Sequence, residues 1–173
     1  MVGMTWTVPA PEPVDGPLRG DDRPILEGYL GWQRSTLLNI CAGLTAEQLA
    51  ERPAPPSTLS LLGLIRHLAK VERIWLRQRV AGQAVPPLYG GAGDDTDFTV
   101  TTAEAAEQEI TQLREEWRQA DQAVAGLPFD YPVEIHGEEM SLRMIYLHLI
   151  GEYARHNGHA DLLREAIDGV TGR

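Results

Sequence analysis

Apolar residues recur every three or four positions over four long stretches of the chain, the period of helices rather than strands. In the first stretch, Ile25, Tyr29, Trp32, Thr36 and Ile40 predict the buried face of a helix. That helix opens at Asp22, with Pro24 in its first turn, and stops at Gly43. Thr45 and Gln48 have capping-box spacing for a short helical turn, which Pro53, Pro55 and Pro56 end. A second long helix runs from Ser57 or Ser60 to Ala81, with Leu61, Leu64, Leu68, Val71 and Trp75 on one stripe. Arg66, Lys70, Arg73 and Arg77 fall on the other side, and read most simply as the solvated face of an amphipathic helix. The third helix opens at the capping-box pair Thr101 and Glu104 and carries Ala106, Ile110, Leu113, Trp117, Ala120, Val124 and Leu127. The fourth starts at Ser141 and ends at Gly169.

Between these stretches the chain lacks helical period. Residues 1–20 hold Pro9, Pro11, Pro13 and Pro17 and are expected to form an extension that lies over the surface or stays disordered. Residues 21–173 are expected to form a single helical domain. From Gly82 onward a glycine- and proline-rich segment ends in Asp94, Asp95 and Asp97. A loop of that length suits a crossover that traverses a bundle, so that its flanking helices run parallel. It has neither phosphate-loop spacing nor an EF-hand pattern. Pro128 to Met140 is irregular, with a short extended piece at Tyr131 to Ile135. The expected fold class is all-α: a four-helix bundle with one long crossover between the second and third long helices.

Composition narrows the partners. The 173 residues have a formal net charge of −10, which argues against nucleic acid or an anionic membrane surface. No apolar run is long enough for a membrane span, and the N-terminus has no basic-then-apolar leader, so the expected location is the cytoplasm. The one cysteine, Cys41, excludes an intrachain disulfide and a multi-cysteine zinc site, and reads as a small buried apolar residue.

The fourth helix breaks its own pattern. Leu142, Ile145, Leu149, Glu152, His156, Leu163 and Ile167 project onto one narrow seam, and two of these residues are wrong for an apolar core. A buried carboxylate must be neutralised, paired or bound to a cation. Glu152 and His156 are one turn apart, so their side chains can converge on one ion. His67, near the edge of the second helix's stripe, can point into the same interior. Two imidazoles and a carboxylate leave positions open at a metal, as in catalytic zinc sites, and the set equally suits iron, nickel or manganese. Alternatively, Glu152 and His156 pair with each other or with Arg66, Arg143 or Arg155. His148 and His159 flank the seam as candidates to orient a ligand, and His136 has no evident role.

These residues resemble the DinB-like superfamily of four-helix metalloproteins, particularly the branch related to mycothiol-dependent maleylpyruvate isomerase. The resemblance covers Asp22 to Gly169. It rests on Ser60-Leu61-Leu62-Gly63-Leu64-Ile65-Arg66-His67-Leu68 and on Glu152-Tyr153-Ala154-Arg155-His156-Asn157-Gly158-His159-Ala160. It implies an up-down-down-up bundle, a metal triad of His67, Glu152 and His156 occupied by zinc or nickel, and pairing into a homodimer. It further implies isomerase or S-transferase chemistry with a low-molecular-weight thiol such as mycothiol and a small electrophile as partners. Tyr153 or His159 would then handle a proton. The isomerase has a further C-terminal domain contributing to its site, so the expectation here is a related thiol reaction rather than maleylpyruvate isomerisation. A noncatalytic or structural metal-binding bundle, and a metal-dependent hydrolase, are the alternatives.

Overall fold

The computed structural model describes residues 5–99 and 101–172. Met1 to Met4 of the proline-rich extension, Val100 in the crossover and the terminal Arg173 lie outside them. The body is mainly helical. Its elements are α1 (Asp22–Cys41), α2 (Ala46–Ala50), α3 (Leu61–Glu72), α4 (Thr96–Thr99), α5 (Ala106–Val124) and α6 (Leu142–Asp168). A π-helical stretch, Arg73–Val80, continues α3, and a 3₁₀ turn, Ala103–Ala105, leads into α5. A hairpin of β1 (Pro132–Ile135) and β2 (Glu138–Ser141) precedes α6.

Several of these elements start and stop where local chemistry requires. Thr45 and Gln48 form the capping box of α2. Ser60 Oγ accepts from Gly63 N at 3.0 Å, and Ser141 Oγ from Met144 N at 3.3 Å, each satisfying a first-turn amide. Gly169 ends α6 in the left-handed region at φ 79°. The hairpin adds a small sheet that the helical period omits. Its turn is His136-Gly137, with φ 55° and 83°, the two positive values a tight two-residue hairpin needs. That places the otherwise unassigned His136 at an exposed corner. Thr101 and Glu104 do not make the expected capping box, because the 3₁₀ turn intervenes and α5 begins without a side-chain cap.

Helix α3 is the centre of the molecule: every residue from Leu61 to Glu72 is buried except His67. The expected solvated basic face is therefore corrected. Arg66, Lys70 and Arg77 are buried, and the row meets acids from elsewhere in the chain. Arg66 Nη1 lies 2.5 Å from Glu109 Oε1, Arg73 is bidentate to Glu116 at 2.9 and 2.7 Å, and Arg77 Nη1 lies 2.5 Å from the same carboxylate. Ala106, Ile110, Leu113, Ala120 and Val124 of the expected stripe are buried on α5, Trp117 is half-buried and Leu127 lies past its end. Glu109 and Glu116 are buried beside them because Glu109 answers Arg66 of α3 and Glu116 answers Arg73 and Arg77 of its π-helical continuation. The Arg66–Glu109 and Arg73–Glu116 pairs both span 43 residues. The α1–α6 contacts, Asn157 to Gln33 and Arg164 to Ile40, both span 124.

The expected inner face of α1 is also corrected. Ile40 is buried as expected, but Tyr29 and Trp32 are each 48% exposed, and Leu30, Gln33, Arg34, Leu37, Leu38 and Cys41 face inward in their place. Two polar residues take core positions because partners await them. Arg34 forms paired bonds to Glu72 at 2.8 and 2.9 Å and to Asp121 at the same distances. Glu72 also accepts from the Tyr153 hydroxyl at 3.0 Å, and that hydroxyl accepts from Trp117 Nε1 at 2.7 Å. The displaced aromatic face of α1 looks instead onto residues 14–18 of the extension across a cavity of about 560 Å³. Further back, the extension pairs Thr7 with Thr45 and sinks Val8 into the core at 2% exposure.

Candidate metal centre

His67 projects from the middle of α3, and Glu152 and His156 from one face of α6. The i, i+4 spacing stacks the α6 pair, and packing of α3 against α6 brings the third side chain opposite. Glu152 Oε2 lies 3.8 Å from His67 Nε2 and 3.5 Å from His156 Nε2, and the three donor atoms all lie within 4.8 Å of one another. Donors about 2.1 Å from a tetrahedral ion stand about 3.4 Å apart, so the cluster is close to, and slightly wider than, a ligand set. Side-chain exposures of 20%, 25% and 10% for His67, Glu152 and His156 describe a site sheltered inside and open at one side.

The arginines that could have explained the carboxylate are engaged elsewhere. Arg66 is on Glu109 and Arg143 on Asp22, and Arg155 is exposed. Among the described residues, only the two imidazoles lie within ion-pair distance of Glu152.

Both imidazoles have their second nitrogen occupied. His67 Nδ1 lies 2.7 Å from Asp97 Oδ2, and His156 Nδ1 lies 3.4 Å from His159 Nδ1. A ring whose Nε2 lone pair faces a cation has its proton on Nδ1, so Asp97 and His159 are placed as acceptors. Burial raises the Asp97 carboxyl, but the His67 hydrogen bond and the Lys70 ammonium outweigh it and hold Asp97 below the usual carboxylate range. For His156, burial and then the neighbouring His67 push the pKa down to about 4, leaving a neutral ring with a free lone pair near pH 7. Phe98 stacks on His67 at 4.6 Å between centroids and shields that ring from solvent.

The flanking candidates separate. His159 contacts His156, whereas His148 packs at a tilt against Trp75, 4.2 Å between ring centroids, and stands outside the donor cluster. Tyr153 does not serve the site as a proton carrier: it is fully buried, and its hydroxyl is fixed between Glu72 and Trp117. Cys41 is sealed in the core, where burial pushes its thiol up to about 12. Asp97 and Phe98 escape sequence reasoning. Asp97 stands 30 residues beyond His67 in a segment that reads as irregular, and the run of acids there has no spacing that ties it to a histidine.

A mainly helical scaffold with two imidazoles and a carboxylate converging from two helices defines a candidate mononuclear metal protein. The chain belongs to the mycothiol-S-transferase family, whose sequence model matches residues 25–169, and through it to the DinB-like superfamily. No curated protein and no solved structure matches it significantly.

Proposed function

We propose that this protein is a metal-dependent thiol S-transferase that uses a low-molecular-weight thiol of the mycothiol type, with His67, Glu152 and His156 as the ligands of one divalent ion. The convergence of three donor atoms within 4.8 Å, with no guanidinium or ammonium among the described residues in ion-pair distance of the carboxylate, carries this reading. Mixed imidazole and carboxylate donors suit zinc or nickel. A bound ion of this kind lowers the pKa of a coordinated thiol, so that a thiolate is available at neutral pH. The chain contributes the rest. Burial keeps His156 neutral, Asp97 and His159 accept from the outer ring nitrogens, and Phe98 keeps water from one face of His67. In the transfer, the thiol sulfur bonds to the electrophilic carbon, the leaving group departs with its electron pair, and the thiol proton passes to solvent. Because Cys41 is inaccessible, the reacting sulfur comes from outside the chain.

The scaffold we infer for this site is an up-down-down-up bundle. Constant offsets favour parallel α3 and α5, and likewise α1 and α6. The equal sums of the His67–His156 and Trp75–His148 pairings favour an antiparallel α6 against α3 and its π-helical continuation. No helix among the described residues is long and apolar enough to cross a membrane. We assign the protein to the reducing cytoplasm, where such thiols stay reduced.

Elemental analysis of the purified protein and of His67→Ala, followed by thiol titration and turnover with a thiol and an alkylating electrophile, tests the reading. The expected result is about one divalent ion per chain, lost in His67→Ala, with saturable thiol binding abolished in Glu152→Gln. Unchanged metal content in His67→Ala would remove that ligand. Metal that raises the melting temperature, without turnover across thiols and electrophiles, would favour a structural ion instead.

A further inference from the structure

The crossover between α3 and α5 is fastened to α3 by an unusual set of anchors. Lys70, the only lysine of the chain, is 4% exposed, and its ammonium donates to Tyr89 O at 3.3 Å, Asp94 O at 2.6 Å and Asp97 Oδ1 at 3.2 Å. Arg66 Nε donates to Asp97 O at 3.1 Å, and its guanidinium covers the Tyr89 ring at 3.9 Å. Asp97 is therefore gripped by backbone and side chain at 1% exposure. Its remaining oxygen, Oδ2, faces His67 Nδ1 at 2.7 Å. A counter-ion for Lys70 needs only one of these oxygens. The second is spent on an imidazole whose other nitrogen points at Glu152.

We propose that Asp97 is a positioning residue for His67: it keeps the imidazole proton on Nδ1 and the lone pair on Nε2, while Lys70 fixes the carboxylate. This inference rests on the metal reading above. An imidazole free to choose its tautomer presents an N–H to the ion part of the time, and one free to rotate loses orientation as well. The crossover thus sets how tightly the centre holds its ion, although it supplies no ligand itself.

Asp97→Asn makes the sharpest test because it preserves shape. Lys70 claims the amide oxygen, so the NH₂ group turns to His67 Nδ1 and favours the tautomer that cannot ligate through Nε2. Zn²⁺ affinity of the full chain is measured by competition with a chromophoric chelator, and the centre is observed through the visible spectrum of Co²⁺-loaded protein. Asp97→Asn and Asp97→Ala are expected to weaken Zn²⁺ binding about 10- to 100-fold and to alter the Co²⁺ bands. Circular dichroism of metal-free Asp97→Asn should remain that of the parent. Wild-type protein that binds Zn²⁺, with Asp97→Asn within twofold of it and an unchanged Co²⁺ spectrum, overturns the role of Asp97 alone. Wild-type protein that takes up no metal overturns the metal reading and this inference with it.

Discussion

Among the neighbours that receive buried polar side chains from helix α3 and its π-helical continuation, α5 and α6 differ in how those charges are balanced. Toward α5, Arg66, Arg73 and Arg77 meet Glu109 and Glu116 at hydrogen-bonding distance, so each buried cation has its anion within the chain. Toward α6, His67 meets His156 and Glu152, a cluster of lone pairs and a carboxylate that no guanidinium or ammonium of the described residues joins. The first arrangement is complete when the protein folds. The second has no counter-charge among the described residues. Buried polarity therefore marks function only where its partner is missing, and the distinction lies in the contacts rather than in residue types.

The largest expected contrast between the interfaces is in stability. Glu116→Ala strips a fully buried carboxylate from two guanidinium groups and should destabilise the protein by about 3–5 kcal/mol in urea unfolding. Glu152→Gln in metal-free protein should shift stability by less than about 1 kcal/mol, because no buried cation loses its partner. Equal losses at both positions would erase the distinction.

Metal sharpens the same comparison at the next level. At 100 times its dissociation constant, an ion that binds only the folded state adds about 2.7 kcal/mol. Thermal unfolding of wild-type protein with and without Zn²⁺ should show that gain, and His156→Gln should lose most of it. A gain undiminished in His156→Gln would place the ion elsewhere.

A smaller effect concerns protons. His156 titrates at about 4 in the folded protein, against about 6.5 for an unperturbed imidazole. Between these values the unfolded chain binds the extra proton, so this contribution to metal-free stability is complete above about 6.5 and declines as pH falls toward 4. Carboxylates add their own losses in that range. The diagnostic measurement is therefore the slope: urea midpoints of His156→Gln should fall less steeply from neutral pH to pH 5 than those of wild type. Parallel slopes would mean that His156 is not held neutral by its surroundings.

The centre's donors were legible in the sequence because two of them interrupt an apolar seam within a single turn, a purely local signal. His67 lay near enough to its stripe for the same projection to find it. What the helical period misses is chemistry between distant segments. The basic row of α3 looks solvated until the crossover and the acids of α5 are laid against it. Gln33 and Arg34 look like outward residues of α1, since nothing near them announces Asn157, Glu72 or Asp121. The extended piece at Tyr131 to Ile135 is legible and forms β1, but its partner strand β2 hides because His136-Gly137 reaches the same backbone shape as a more familiar asparagine–glycine corner. Asp97 is the costliest miss, since nothing in its immediate neighbours ties it to a histidine on α3.

The burial of Cys41 has a consequence for working life in an oxidising episode. With its sulfur walled off and almost never ionised at neutral pH, the protein offers no thiolate for disulfide exchange. A pool of small thiols and their disulfides can rise and fall around it without the polypeptide becoming glued to either form. Inactivation by mixed-disulfide capture then has to wait for the helices themselves to open.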